Sequence, residues 1–510
     1  MTSAAAGGIV AVVRVLASLV LSTSTVIALA AGCSSGNGGG GDAGADAAAD
    51  ADPRPPTPPE WDRAVTRPSD GDAAQKRTAC GFKAGDLPGE TLGASTAVDK
   101  DIPVDTIVIL MQENRSFDHY FSNLPAYLGR NDIQVAPANA SNPDKAGGMT
   151  GMHVRQHAPR MCNLDTDHEW PGSHLEWNNG ANDGFFEAND QPNKTPTEVY
   201  SGDRALWFYD QRDIPFYYDL AKTFAIGDHY HCSLLGPTWP NRMFLYSGTS
   251  FGMTYNAFPN NAAYEFPIKD MSVGDMLEKR HVDWNIFSDA GTPGMGVVHG
   301  AQTYGSRWGR SPLLKMTEFF ARAKAGTLPP VSFVDGLFDK ENAAVGNDEH
   351  PPGDVQVGQK FVYDVIKALM TGPQWSHAAM FLTYDEHGGF YDSVPPPAAC
   401  KPDALPIKHE DGDNTPGEFD RLGFRVPLFV ISPYAKKGYV AHGIYDHASI
   451  LRFVESKFRM PALTARDANA EPLSEFFDWK NPTFTTPPTF AEPPIDQAAW
   501  DWCKQTFPSK

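Results

Sequence analysis

The sequence predicts an α/β fold built on a mostly parallel central sheet. Three features carry that prediction: apolar runs of strand length, helically spaced apolar residues between them, and polar clusters where the runs end. A run that is apolar at every position is buried on both faces, as strands are in a parallel sheet covered by helices. Strands alternating with helices supply the crossovers such a sheet needs. Ligand sites in these sheets form beyond the carboxyl ends of the strands, so the fold and the polar clusters point the same way.

The first 60 residues stand outside this pattern. Residues 8–32 are mostly apolar, interrupted by Arg14 and by Ser and Thr, and are long enough to span a bilayer. Ala30-Ala31-Gly32 then precede Cys33 and a Gly-rich run. Small residues of this kind end a secretory signal. The cysteine at the cut makes the segment similar to a bacterial lipoprotein signal with Cys33 lipidated, although Ala30 stands where that motif prefers Leu. An ordinary secretion signal with an incidental cysteine and an uncleaved membrane helix are the alternatives. All three place the rest of the chain outside the cytoplasm. Residues 34–60, rich in Gly, Ala, Asp and Pro, read as a flexible tether. The expected organisation is a signal over 1–33, a disordered tether over 34–60 and one large catalytic domain over 61–510. With Cys33 set aside, Cys80, Cys162, Cys232, Cys400 and Cys503 remain. In an exported chain they imply up to two disulfides and one leftover thiol, with the pairing open.

Within the domain, residues 106–111 (Thr-Ile-Val-Ile-Leu-Met) form the first strand candidate and lead into Gln112-Glu113-Asn114. Residues 331–334 form another, ending at Asp335. Residues 378–384 end in Asp385-Glu386-His387-Gly388-Gly389, and residues 426–431 are followed by Ser432-Pro433. Phe361, Val362, Val365, Ile366 and Leu369 make one helical stripe between them; Ile450, Leu451 and Val454 make another.

The clusters carry chemistry. Glu113 and Asn114 put a carboxylate beside an amide oxygen, donors that suit a hard or borderline cation; Asn114, Ser116 and Asp118 also fit a plain helix start. Asp385 and Glu386 add two acids at a strand end, and Gly388-Gly389 let backbone approach closely. His168, His350 and His447 each lie beside an Asp or Glu that can orient the ring, and imidazole serves either as a metal ligand or, charged, as a phosphate contact. Asp446 can equally be a helix N-cap. Thr238, between Pro237 and Pro240, opens a helical stretch and is the nucleophile candidate; Thr-x-Pro is commoner as a plain helix start. Arg242 can hold an anionic phosphate oxygen. Ser233 and Ser247 are rival hydroxyls. Tyr120, Trp170, Trp177 and Trp239 can cage a quaternary ammonium, though core packing is the commoner fate of each.

Five segments together resemble a bacterial phosphoesterase family that holds phosphatidylcholine-type phospholipases C and a group of acid phosphatases. They are Glu-Asn-Arg-Ser-Phe-Asp-His-Tyr-Phe (113–121), Gly-Pro-Thr-Trp-Pro-Asn-Arg (236–242), Asp-Glu-His-Pro-Pro (348–352), Asp-Glu-His-Gly-Gly-Phe-Tyr-Asp (385–392) and Tyr-Asp-His-Ala-Ser (445–449). The resemblance implies an alkaline-phosphatase-like α/β/α sandwich with insertions. It implies a phospho-threonine at Thr238 and a divalent metal on Glu113, Asn114, Asp385 and Glu386, with Thr238 completing the shell. It implies that His168, His350 and His447 contact phosphate or leaving group. The larger phospholipases of that family carry C-terminal β-domains beyond the last motif. The expected activity is metal-dependent phospholipase C, releasing phosphocholine and diacylglycerol; the rivals are an acid phosphatase and a catalytically inactive surface-binding lipoprotein.

Composition bounds these readings. At 510 residues, 41% hydrophobic and 11% aromatic, the chain is that of a folded protein. Its 62 acidic against 42 basic residues give a net charge of −20, which argues against nucleic acid as a partner. Five acids against Arg14 and Arg54 fall in the first 60 residues, leaving −17 on the rest. An acidic surface disfavours anionic membranes, so a zwitterionic phospholipid or a small soluble phosphoester is the expected substrate. A lipid anchor at Cys33 is the expected membrane link, and the expected location is the cell envelope or the secreted fraction.

Overall fold

The structure, a computed structural model, describes residues 52, 54–257, 272–289, 313–338 and 346–508, apart from the side chains of residues 197 and 198. The chain divides into two units, Met1–Asp52 and Pro53–Lys510, and every element below belongs to the second. The expected signal, Cys33 and most of the expected tether lie outside the described residues. The described residues from 54 onward make contacts within the second unit. Arg54 pairs with Asp283 at 3.0 Å, the Thr57 hydroxyl donates to the Lys279 carbonyl at 2.7 Å, and Trp61 is buried.

Among the described residues the central sheet has eight strands: β1 (Thr106–Gln112), β2 (Ala225–Gly227), β3 (Trp284–Phe287), β4 (Leu313–Leu314), β5 (Val331–Asp335), β6 (Ala378–Tyr384), β7 (Leu428–Ile431) and β8 (Val440–Ala441). Their spatial order is β8-β2-β7-β6-β1-β5-β3-β4. Only β7 runs against the others, antiparallel to both β6 and β2. The expected mostly parallel α/β sheet is therefore what forms, and the run over 426–431 supplies its one reversed strand. All seven residues of β1 and of β6 are buried, consistent with their unbroken apolar sequence. Each large apolar side chain so buried contributes roughly 1.5–3 kcal/mol.

Register separates the two helical layers. Phe333, Ile109 and Phe381 lie side by side across β5, β1 and β6 and share one face. Phe333 packs on Tyr246 and Phe381 on Phe453, so this face is covered by the helices Thr238–Ser247 and His447–Phe458. Phe429 pairs with Leu382, one residue on from Phe381, and so points the other way. It meets Tyr217 of the helix Pro215–Thr223, against which Val355–Thr371 packs through Phe216 and Tyr363. In chain order we call these helices α1 (Pro215–Thr223), α2 (Thr238–Ser247), α3 (Val355–Thr371) and α4 (His447–Phe458). The two expected stripes lie on α3 and α4. Disulfides Cys80–Cys400 and Cys162–Cys503 close loops of 320 and 341 residues, and Cys232 is the buried free thiol.

Candidate active site

Three neighbouring parallel strands deliver three acids to one edge of the sheet. Met111 of β1 pairs with Thr383 of β6 and with Asp335 of β5, so Asp335, Glu113 and Asp385 emerge side by side. Arg242, from the second turn of α2, lies among them. Its Nη1 donates to Asp335 Oδ1 at 2.7 Å and its Nε to Asp385 Oδ2 at 3.1 Å. Its Nη2 donates to the Met111 carbonyl at 3.2 Å and sits 3.4 Å from Glu113 Oε1. Burial opposes the charge on Arg242, but Asp385, Asp335 and Glu113 outweigh it and hold the guanidinium well above its ordinary pKa. This departs from the expectation that Arg242 holds phosphate: every nitrogen of the fork already has protein partners.

Asn114 and Glu386 stand beside this cluster. Asn114 has φ +63°, an uncommon conformation for a residue with a side chain, and its backbone N–H donates to Asp385 Oδ1 at 3.2 Å. It is not the helix cap; Ser116 is, accepting from the His119 N–H at 3.1 Å. Gly388 is needed for this approach, since a Cβ there would come within 2.3 Å of the Asn114 carbonyl oxygen. Glu386 Oε2 accepts from the Gly388 N–H at 2.6 Å. Burial and Asp385 push the Glu386 carboxyl up to about 8, with His168 opposing.

The residues present fit a metal ion. Asn114 Oδ1 and Glu386 Oε1 are fully buried acceptors with no hydrogen-bond donor, an arrangement that costs free energy unless a cation takes the place of the donor. Glu113, Asp335 and Asp385 are all buried around one guanidinium, so three acids face a single cation there. Oxygen donors of this kind suit a divalent ion.

Thr238 is the first residue of α2, and Pro237 is its N-cap. It therefore does not serve as a capping residue. Among the described residues no hydrogen bond engages its hydroxyl. Threonine and Arg242 are four residues apart, hence on one face of the helix. Asn241 fixes the turn before them: its Oδ1 accepts from the Ser233 and Leu234 N–H groups at 2.8 and 3.0 Å, and its Nδ2 donates to the Gly236 carbonyl at 2.8 Å. Ser233 is committed elsewhere, donating to Asp446 at 2.9 Å.

His168 and His350 line a cavity of about 900 Å³ together with Asp165, Asp167, Glu169, Asp348 and Arg204. His168 Nδ1 donates to the Thr166 carbonyl at 2.7 Å, and its Nε2 lies 3.4 Å from Asn114 Nδ2 and 4.0 Å from Glu386 Oε1. Burial alone lowers its pKa, but Glu386, Asp165 and Glu169 raise it to about 9. His350 Nδ1 donates to the Pro351 carbonyl at 2.5 Å and its Nε2 is 3.8 Å from Asp165. Asp165, His168 and His350 offer ligand atoms within 4.8 Å of one another.

His447 lies apart from this cavity. It is the first residue of α4, after the N-cap Asp446, and is fully buried. Its Nε2 donates to the Asp385 carbonyl at 2.7 Å and its Nδ1 accepts from the Tyr230 hydroxyl at 2.8 Å. Burial holds its pKa down to about 4. Both nitrogens are engaged by protein, and the structure does not bring His447 to the cavity that His168 and His350 line. The aromatic residues also lie elsewhere. Tyr120 is buried with its hydroxyl on Glu349, Trp170 packs on Phe419, Trp239 sits with Met243 and Phe251, and Arg421 already covers Trp177.

Four residues were not singled out from sequence. Asp335 is recognised only once β5 is known to lie beside β1. Asp348 holds the His350 N–H at 3.1 Å, and burial raises its pKa to about 7. Glu349, at φ +72°, accepts from the hydroxyls of Tyr120, Tyr217 and Tyr384, while its carbonyl accepts from Arg115 at 2.6 Å. Glu176 accepts from His387 Nε2 at 2.7 Å. Asp348 and Glu349 lay inside a quoted motif; Glu176 left no signal.

Comparisons with known proteins place the chain in a family. The model of the phosphoesterase family matches residues 104–461. Phospholipase C B of Mycobacterium tuberculosis is 32% identical over 479 residues, covering 83% of this chain and 86% of its own. The non-hemolytic phospholipase C of Pseudomonas aeruginosa is 31% identical, covering 74% of this chain and 58% of its own. A crystal structure of a protein in the alkaline phosphatase superfamily from Vibrio parahaemolyticus aligns at 11% identity over 69% of this chain and 77% of its own, with a TM-score of 0.31.

Proposed function

The chain belongs to the phosphoesterase family, and on that premise we propose that it is a metal-dependent phospholipase C that works through a phospho-threonine at Thr238. That it is a phosphoester hydrolase follows from the family and from relatives named phospholipase C. The observation that carries the finer reading is the seat of Thr238: a hydroxyl without a hydrogen bond among the described residues, at the start of the helix whose next turn is tied to Asp385 and Glu113.

In this reading the Thr238 hydroxyl gives up its proton to solvent, and its oxygen bonds to phosphorus as the ester bond to the leaving alkoxide breaks. The positive end of α2 favours charge developing there. His350 gives the alkoxide its proton, and His168, charged, holds the phosphate. Water then cleaves the phospho-threonine and restores the hydroxyl. A divalent metal on Glu113, Asn114, Asp385 and Glu386, with Thr238 completing the shell, would supply charge against a phosphate oxygen and lower the pKa of the threonine hydroxyl when bound. Arg242 and His447 are positioning residues: one spaces the acids, the other fixes the Asp385 backbone.

The cavity favours a diester with a cationic head group over a doubly charged monoester. Asp165, Asp167, Glu169 and Asp348 line it. Arg204, the one guanidinium among the lining residues, spends its donors on the carbonyls of Asn189, Ser201 and Asp165. Phosphatidylcholine would yield diacylglycerol and phosphocholine. Export with a lipid at Cys33 completes the proposal, and palmitate labelling lost in Cys33→Ser tests it. Turnover of p-nitrophenyl phosphorylcholine and p-nitrophenyl phosphate tests the substrate class. Preference for the first supports phospholipase C; preference for the second supports the acid phosphatase; turnover of neither by protein loaded with divalent metal overturns both.

A further inference from the structure

A second constellation sits at the same edge of the sheet, outside the machinery described. Asp228 follows β2 and His442 follows β8, two parallel strands paired through Gly227 and Ala441. His229 is next in sequence. Asp228 is fully buried, whereas the side chains of His229 and His442 are 20% and 44% exposed.

The orientation of the two rings is the informative feature. His442 Nε2 faces Asp132 Oδ2 at 3.4 Å. His442 Nδ1 then lies 3.0 Å from both oxygens of Asp228. His229 repeats the pattern, with Nε2 2.9 Å from Gln134 Oε1 and Nδ1 2.8 Å from Asp228 Oδ1. Two ring nitrogens thus converge on one buried carboxylate: each can donate a proton to it, and the same three groups can instead share one cation.

The surroundings match a metal site. An imidazole that binds metal through one nitrogen commonly donates from the other to an oxygen, which fixes its tautomer. Here Asp132 and Gln134 are those oxygens. They are themselves held: Arg130 pairs with Asp132, the Gln134 N–H donates to Asp228 Oδ2 at 3.2 Å, and Arg425 donates to the Gln134 and Asp228 carbonyls at 2.7 and 2.9 Å. The three ligand atoms lie within 4.8 Å of one another. Two imidazole nitrogens and one carboxylate with an open side toward solvent are donors for zinc in tetrahedral geometry.

We propose that Asp228, His229 and His442 bind a zinc-type transition-metal ion, separate from the metal of the catalytic site. The ion would tie the ends of β2 and β8 to the segment carrying Asp132 and Gln134. The test is equilibrium dialysis of the whole purified protein against zinc, with metal content measured for wild type, His442→Gln, His229→Gln and Glu386→Gln. The site predicts that His442→Gln and His229→Gln each bind one equivalent less than wild type. It also predicts that Glu386→Gln combined with His442→Gln loses more than either alone. Zinc should raise the Tm of wild type more than that of His442→Gln, whose turnover of p-nitrophenyl phosphorylcholine should match wild type. Equal zinc content and equal zinc-dependent Tm shifts in wild type and both histidine variants would overturn the site, whatever becomes of the catalytic reading.

Discussion

Arg242 donates from Nε to Asp385 Oδ2 at 3.1 Å across 143 positions of sequence, and both side chains are fully buried. This pair joins the second turn of α2 to the carboxyl end of β6. It sets how far Thr238 stands from the acids. Removing one partner of a buried ion pair leaves the other charge uncompensated, at a cost of about 3–5 kcal/mol. Arg242→Met is therefore expected to lose about that much stability in urea titrations. Arg242→Lys should fall between, because an ammonium cannot span Asp335, Asp385 and Glu113 as the fork does.

Glu349 is the second support. Three tyrosine hydroxyls donate to it, and it precedes His350 in sequence. In Glu349→Gln the amide NH₂ cannot accept, so one buried hydroxyl loses its acceptor, at a cost of about 1–3 kcal/mol. The variant is expected to show a lower Tm. Its kcat should fall with KM little changed, since His350 shifts while the cavity walls remain.

Acid should destabilise the fold through buried neutral histidines. Burial lowers the pKa of His231 to about 3, its Nδ1 donating to the Gly423 carbonyl at 2.8 Å. Burial, aided by Arg115, puts His119 well below its ordinary value. A depressed native pKa means that only the unfolded chain takes up the proton. The stability is thus intact above pH 6.5 and lost as pH falls toward the native value. At pH 5 each such histidine removes about 2 kcal/mol. Compared with wild type in urea titrations between pH 7 and 5, His231→Asn should lose about 2 kcal/mol less, the share that this histidine contributes.

The two disulfides close very long loops, 320 and 341 residues. Loss of a native disulfide typically costs about 2–5 kcal/mol. Replacing Cys162 and Cys503 by serine should cost about that much stability in urea titrations. It should also affect activity, because Thr506 and Phe507 just beyond Cys503 line the cavity with His168 and His350.

Local signals were legible in the sequence, while strand order was not. The apolar runs at 106–111 and 378–384 became β1 and β6 because a strand buried on both faces must be apolar throughout. Acids at their ends marked the site edge for the same reason. Asp335 also ended a visible run, but its neighbour could not be known from one sequence, so its place beside Glu113 went unread. Arg242 and His447 had the right chemistry for phosphate. Burial turned them toward Asp335, Asp385 and the Asp385 backbone, and burial is a tertiary property. Glu349 shows the limit in another way. Its role depends on Tyr120, Tyr217 and Tyr384, which meet only in the fold.

The central claim is covalent attachment of phosphorus to Thr238. The most direct test mixes enzyme with excess p-nitrophenyl phosphorylcholine, quenches with acid in the pre-steady state, and reads the intact mass and the peptide map. The expected result is a phosphocholine adduct on the peptide containing Thr238, absent in Thr238→Ala, with turnover of that variant reduced by at least about 10³-fold. Unmodified Thr238 at every quench time, with Thr238→Ala turning over at the wild-type rate, would contradict it.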